Sequence, residues 1–413
     1  MEKLWKLIRW SLAVGFFLFG MFVVRSDSWE WSTLRIIFFS IPLAMQFTSS
    51  KNLQIYSLWW GLFLVLQIFL SQVLLYSDFK TLTPNFRQII NVKAGIPGIS
   101  GNQLITTDSK GFRTTKNVNY ESSETFRIFA IGGSTTEQIH LDDKSTWTHL
   151  LQEQLSKRLN LDVEVINAGV AGTRAKNHLA TLHHILKLHP DMVIFLFGLN
   201  DWNWYILEAY SKVNQFRKIK AYRANFLLED TLLGKSITNV FMYTKNLMKK
   251  KKMDSVRDDF GLCYSRQRGS LNRKEVFYFH PEDVHPEYKK LVRSISNVCH
   301  DNNIACLFVT QPSGYKNGAS DEFKKGFWMT PPGEPYTCDF ESMIYIASLY
   351  NSFLLKFSKE NDHPVCDAAS MVSPTFDNFY DDCHFNTNGA KNLSRIIADC
   401  VVESYKNDNL PGK

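Results

Sequence analysis

The chain has 413 residues, 21% of them charged and 45% hydrophobic, with 31 phenylalanines and a formal net charge of +7. That length holds a membrane region plus one globular domain, or two to three small domains. Thirteen prolines and 21 glycines exclude a collagen-like or wholly disordered chain.

Three apolar runs come first. Residues 10–24 (WSLAVGFFLFGMFVV) follow Lys3, Lys6 and Arg9. The next residues offer no small-residue cleavage site, so the run reads as an uncleaved anchor rather than a signal peptide. Residues 36–47 (IIFFSIPLAMQF) are short and contain Pro42, and they span only with Trp31 and Thr33 in the headgroup belt. Residues 53–77 carry no charge over 25 positions. At about 1.5 Å rise per residue they cross a ~30 Å hydrocarbon core with room for tilt. With three spans, the N-terminal cations and Lys51 stay cytoplasmic and everything after Tyr76 is outside; with two, the large domain is inside. We expect a membrane anchor over 1–79 with three transmembrane helices, a connecting segment over 80–125, and an extracytoplasmic domain beyond, facing the periplasm if the chain is bacterial.

From Phe126 short apolar runs alternate with helical ones. Residues 127–133 (RIFAIGG) predict a buried strand, 145–158 a helix opened by a Ser/Thr cap, 162–169 a strand, and 176–188 a helix ending before Pro190. Residues 191–201 (DMVIFLFGLND) and 304–312 (IACLFVTQP) predict strands covered on both faces, and 389–405 the last helix. The alternation predicts a three-layer α/β/α sandwich with a mainly parallel sheet over 126–405. In such sheets ligands bind beyond the carboxyl ends of the strands.

A basic insert interrupts this domain. Residues 211–252 hold eleven Lys/Arg against Glu229 and Asp230, so the remaining chain is close to neutral. The insert suits an anionic membrane surface or a solvated basic helix equally. No zinc-finger spacing, helix-turn-helix pattern or aromatic RNA-binding motif accompanies it, which sets nucleic acid aside as a partner. Seven cysteines (Cys263, Cys299, Cys306, Cys338, Cys366, Cys383, Cys400) allow up to three disulfides or seven buried thiols, and none forms a close CxxC pair suited to zinc.

Four segments leave the sheet at its carboxyl edge. Gly132-Gly133-Ser134-Thr135-Thr136 turns from strand to helix with a projecting hydroxyl; alone, it would be a helix cap. Asn167 to Thr173 carries glycines able to offer a backbone N–H, or simply a tight turn. Gly198-Leu199-Asn200-Asp201 places an amide side chain at a strand end, where it also stabilises loops. Phe379 to Phe385 contains Asp381, Asp382 and His384. A carboxylate three residues before a histidine is able to hold one ring nitrogen and aim the other at a nucleophile, although a lone DxxH is usually a surface turn. His178, His183, His184 and His189 lack the i, i+4 spacing of a helical zinc pair and are expected to pack or face solvent. Core packing is likewise expected of Trp202 and Trp204, while Gln311 is expected to face the site, with 313–338 a candidate lid.

Taken together, Ser, Gly, Asn and Asp-x-x-His in that order resemble the four signature blocks of the SGNH hydrolase family, the GDSL-type esterases and lipases. The flanks GGSTT, VINAGVAG, PDMVIFLFGLND and FYDDCHFNTNGA match, over about 126–405. The family's Gly-Asp-Ser stands here as Gly-Gly-Ser, a variant of its membrane-associated and polysaccharide-related branches, which Gly111-Phe112-Arg113 also resembles. The resemblance implies an SGNH/flavodoxin-like fold, Ser134 as nucleophile, His384 as base and Asp381 rather than Asp382 as its partner. It implies an oxyanion hole of the Ser134 N–H, the Gly172 N–H and the Asn200 amide, with no metal or cofactor required. The implied activity is a membrane-anchored serine esterase removing an acyl group, acetyl foremost, from a carbohydrate or lipid through an acyl-serine. An O-acyltransferase acting on a cell-surface polysaccharide, beside a multi-span acyl-donor partner, shares the same residues. A non-catalytic membrane assembly subunit is the third alternative.

Overall fold

The computed structural model describes residues 78–92, 95–115, 118–121, 125–213, 269, 273–328, 330–331 and 333–406. The apolar runs at 10–24, 36–47 and 53–77, and the basic insert beyond Val213, lie outside them. Among the described residues no helix is long and apolar enough to cross a membrane.

β1 (Arg87–Val92) and β2 (Gly101–Thr106) form an antiparallel ribbon ahead of the main sheet. The main domain then runs β3 (Phe126–Gly132), α1 (Ser134–Glu137), α2 (Trp147–Leu159), β4 (Val163–Asn167), α3 (Ala175–Ile185), β5 (Met192–Leu196) and α4 (Leu199–Val213). It continues with β6 (Glu275–Phe277), α5 (Pro286–Asp301), β7 (Ala305–Val309), α6 (Asp321–Lys324), β8 (Tyr336–Cys338), α7 (Phe340–Glu360), β9 (Val365–Cys366), α8 (Ala368–Met371) and α9 (Thr387–Lys406). The central sheet is ordered β4-β3-β5-β7-β9 and every pairing in it is parallel.

The strands are apolar on both faces because helices cover both. Every residue of β4, β5 and β7 is buried. Each Val, Ile, Leu or Phe so enclosed contributes about 1.5–3 kcal/mol relative to exposure. Right-handed crossovers put α2 on one face, where it packs on α9, and α3 on the other, where it packs on α5. Helix ends follow the caps. Thr146 accepts from the His149 N–H at the start of α2, Asp339 accepts from Ser342 at the start of α7, and Pro286 opens α5.

Strand order reverses between β3 and β5: the first crossover runs outward to β4, and the next passes back over β3. That reversal opens a crevice at the carboxyl edge, where a doubly wound sheet receives ligands. The predicted strand at 191–201 is shorter than expected. It stops at Leu196, and Gly198 (φ +123°) turns the chain so that Asn200 and Asp201 fall in the first turn of α4. The 80–125 segment carries the β1–β2 ribbon, and Arg113 forms an antiparallel bridge to Asn167 at the end of β4. Among the described residues one disulfide, Cys366–Cys400, ties the edge strand β9 to α9. Cys299, Cys306, Cys338 and Cys383 are buried free thiols.

Candidate active site

Ser134 is the first residue of α1, immediately after β3. The turn works only without side chains. A Cβ at Gly132 would sit 2.2 Å from Thr136 Oγ1 and 2.4 Å from the Leu196 carbonyl, and a Cβ at Gly133 would sit 2.7 Å from Asn200 Nδ2. Gly-Gly-Ser thus lets Asn200 lie directly against the serine turn. The far end of α1 is closed by Arg113, 2% exposed, whose guanidinium donates to the carbonyls of Glu137 (2.6 Å), Gln138 (2.5 Å) and Leu141 and pairs with Asp143 at 2.8 Å. Carbonyls left open at a helix end find their partners there.

The histidine arrives from a tight turn before α9. Tyr380 N–H donates to the His384 carbonyl, closing it. One oxygen of the fully buried Asp381 accepts from the backbone N–H of Cys383 (2.9 Å) and of His384 (2.7 Å), and the other lies 2.8 Å from His384 Nδ1. His384 Nε2 is 2.8 Å from Ser134 Oγ. An ionised carboxylate only accepts, so Nδ1 carries the hydrogen and Nε2 presents its lone pair to the serine hydroxyl. Burial disfavours the charged ring, but the charge and hydrogen bond of Asp381 outweigh it, and His384 titrates above the ordinary histidine range. Asp382 points elsewhere, accepting from Tyr315 Oη (2.8 Å), Thr330 Oγ1 (2.9 Å) and the Trp328 N–H (3.2 Å). The Tyr380 ring lies parallel to His384 at 5.5 Å, and its hydroxyl is 2.8 Å from His140 Nδ1. Burial holds His140 well below the usual histidine range, so this ring is neutral.

On the opposite wall Asn200 Nδ2 donates to the Thr173 carbonyl at 2.9 Å. Gly172 (φ +74°) sits on the exposed rim, one residue before Thr173, which lines the crevice itself. Two buried carboxylates brace this loop. Glu137 accepts from the Ala171 N–H, and Asp201 accepts from the Ala175 N–H at 3.1 and 3.3 Å. Burial raises both, Asp201 to about 7. Neither carboxylate, nor Arg113 in its closing role, was foreseeable from local sequence, because each acts on a segment tens of residues away.

The other singled-out residues divide. His178 is buried, 3.1 Å from Thr173 Oγ1, and burial lowers it to about 3, so it serves the crevice wall as a neutral ring. Trp202 packs in the core against Tyr350, and Trp204 stacks under the Arg174 guanidinium at 4.1 Å. Gln311 does face the site: its Oε1 accepts from Thr135 Oγ1 at 3.3 Å. The space left beside Ser134, Thr135, Asn200 and Gln311 is a crevice of only about 10 Å³. Among the described residues the one group with metal-ligand spacing is Asp381, Cys383 and His384. Both ring nitrogens of His384 are already engaged, and burial keeps the Cys383 thiol protonated, so the donor set does not fit an ion.

A family model described as the GDSL-like lipase/acylhydrolase family matches residues 130–391. No curated protein matches the chain. Among solved structures the chain is similar to Axe2, an acetylxylan esterase from Geobacillus stearothermophilus, with 13% identity over 69% of this chain and 96% of that one and a TM-score of 0.37. It is also similar to an alpha/beta hydrolase enzyme from the metagenome of Lake Arreo (11% identity, 68% and 97% covered, TM-score 0.38). A third is a GDSL-like lipase from Bacteroides thetaiotaomicron (10% identity, 70% and 93% covered, TM-score 0.35).

Proposed function

The chain belongs to the GDSL-like lipase/acylhydrolase family and is an ester-cleaving hydrolase; from that premise we propose that it is a membrane-anchored, extracytoplasmic serine esterase that removes acetyl groups from a carbohydrate or a lipid. The observation that carries the chemistry is the Ser134 Oγ–His384 Nε2 distance of 2.8 Å, with Asp381 2.8 Å behind the ring.

A serine hydroxyl is a weak nucleophile at its own pKa, so it requires the adjacent base. Ser134 Oγ attacks the acyl carbon while His384 Nε2 takes its proton. Asp381 keeps the ring in the required tautomer and stabilises the imidazolium without itself being protonated. The oxyanion forms against the Ser134 N–H, the Gly172 N–H and the Asn200 amide. Collapse returns the proton to the departing alcohol and leaves an acyl-serine, which water opens by the same steps in reverse, releasing the acid. The narrow crevice supports a short acyl group. The disulfide supports an oxidising compartment, in agreement with the apolar runs before residue 78.

The test is turnover of p-nitrophenyl acetate by the purified full-length chain, with and without sugar acceptors. Hydrolysis is expected, lost in Ser134→Ala at unchanged Tm and indifferent to acceptors. Transfer of acetyl to the acceptor would replace the esterase by an O-acyltransferase. A reporter fused after Lys413 is expected to be active only outside the cytoplasm, and cytoplasmic activity would contradict the proposed placement.

A further inference from the structure

A second recess at the carboxyl edge is larger than the crevice that holds Ser134. It is a cleft of about 350 Å³ beyond the ends of β7 and β9, walled on one side by α7. Gln311 lines both spaces. Its side chain bonds Thr135, next to the serine, and its backbone exchanges two hydrogen bonds with the Asn351 amide, at 2.8 and 3.2 Å, on the cleft side. Along the sheet, β7 lies two strands from β3, which at ~4.8 Å per strand puts the cleft about 10 Å from the nucleophile's strand.

The lining is polar without being charged toward a ligand. Ile344, Ser348, Asn351, Ser352 and Leu355 recur on one face of α7, and Ser348 and Ser352 are exposed. Ser313 and Asn317 face them from the loop after β7. Lys316 spends its ammonium hydrogens on the carbonyls of Ala369 (2.8 Å), Ser370 (2.7 Å) and Val372 (3.1 Å), and Asp367 accepts from Thr310 Oγ1 at 2.8 Å. An acyl chain would leave the Ser348 and Ser352 hydroxyls and the Asn317 amide without a partner on burial, at a cost of roughly 1–3 kcal/mol for each group. A neutral polyol satisfies them. Resting on the proposed role of Ser134, we infer that this cleft is a subsite for a neutral oligosaccharide, holding sugar units next to the acetylated one, and that it settles the alcohol of the ester as carbohydrate rather than lipid.

The experiment compares acetylated cello-, xylo- and manno-oligosaccharides of two to four units with their acetylated single sugars, using the full-length chain in detergent. At least one series is expected to gain tenfold or more in kcat/KM with length. Ser348→Trp, which fills the cleft from an exposed helix position, is expected to erase that gain while p-nitrophenyl acetate turnover stays within twofold. Ser352→Trp, one turn along, takes its place if the first variant fails to fold. No gain with length in any series, a gain that survives either tryptophan, or faster turnover of acetylated lipid in vesicles overturns the subsite. A wild-type chain inert toward p-nitrophenyl acetate is a different failure, that of the nucleophile itself.

Discussion

The two walls of the crevice are built on opposite plans. The Asp381–His384 turn fixes its own carboxylate–imidazole pair, while Asp382 ties it to the segment after β7. Within four residues, one carboxylate takes two backbone N–H groups and a ring nitrogen, and the turn closes on its own carbonyl. The loop from Gly169 to Ala175 closes on itself at Thr173, whose N–H and hydroxyl donate to the Val170 carbonyl, but depends on distant residues elsewhere. Its shape is imposed by Glu137 from α1, by Asn200 and Asp201 from α4, and by the bond from Thr173 Oγ1 to the Gly132 carbonyl. The base is therefore placed by local chemistry and the oxyanion side by tertiary structure. Damage to the first should be chemical, and damage to the second geometric.

Asp381→Asn attacks the local plan and should have the largest effect. It keeps the shape but favours the wrong tautomer, so a loss in kcat on the order of 10⁴ is expected at nearly unchanged KM. A loss below tenfold would mean another group orients His384. Asn200→Ala removes a side-chain donor and should cost on the order of 10²–10³ in kcat, more than it raises KM. Glu137→Ala should cost about 10² by letting the Ala171–Gly172 segment drift, since misplacement near 1 Å costs that much. Glu137→Gln keeps an acceptor for the Ala171 N–H and should recover most of that activity. If both variants fall equally, the carboxylate acts by its charge and the tertiary plan needs revision.

The smallest expected effect is on pH dependence. His384 must be neutral to accept the serine proton, and its pKa is raised, so kcat/KM should fall as pH drops through a midpoint above the ordinary histidine value of about 6.5. Asp381, Asp382 and Glu137 all favour the charged ring. Glu137→Gln should therefore move the acid limb to lower pH, and a limb that stays put would remove Glu137 from the electrostatics of the base.

What sequence reveals follows the same division. RIFAIGG, the Ser/Thr-capped helix after it and the last helix sit where apolar periodicity puts them, because each buries its own pattern. The strand at 191–201 was overextended because Phe197, Leu199 and Trp202 are as buried as the strand itself, so the apolar run continues through a change from strand to helix that only Gly198 marks. The β1–β2 ribbon (RQIINV and GNQLIT) mixes polar and apolar residues too evenly for a period-2 pattern to emerge. At the site, DxxH is visible because it is contiguous. Glu137, Asp201 and Arg113 are not, since each serves a segment at least 24 positions away. Gly133 lies between these cases. Its lack of a side chain is plain in the sequence, but its reason, the Asn200 amide 2.7 Å from where a Cβ would be, belongs to the folded chain alone.

The covalent tie joins Cys366 to Cys400, 34 positions on, and the loop it closes contains both Asp381 and His384, while Ser134 and Asn200 stand outside it. By chain-entropy reasoning a loop of that size stabilises the fold by about 4 kcal/mol. A thiol reductant should thus lower the stability of the whole fold by about that much, since the loop it would open carries the proton acceptor of the site.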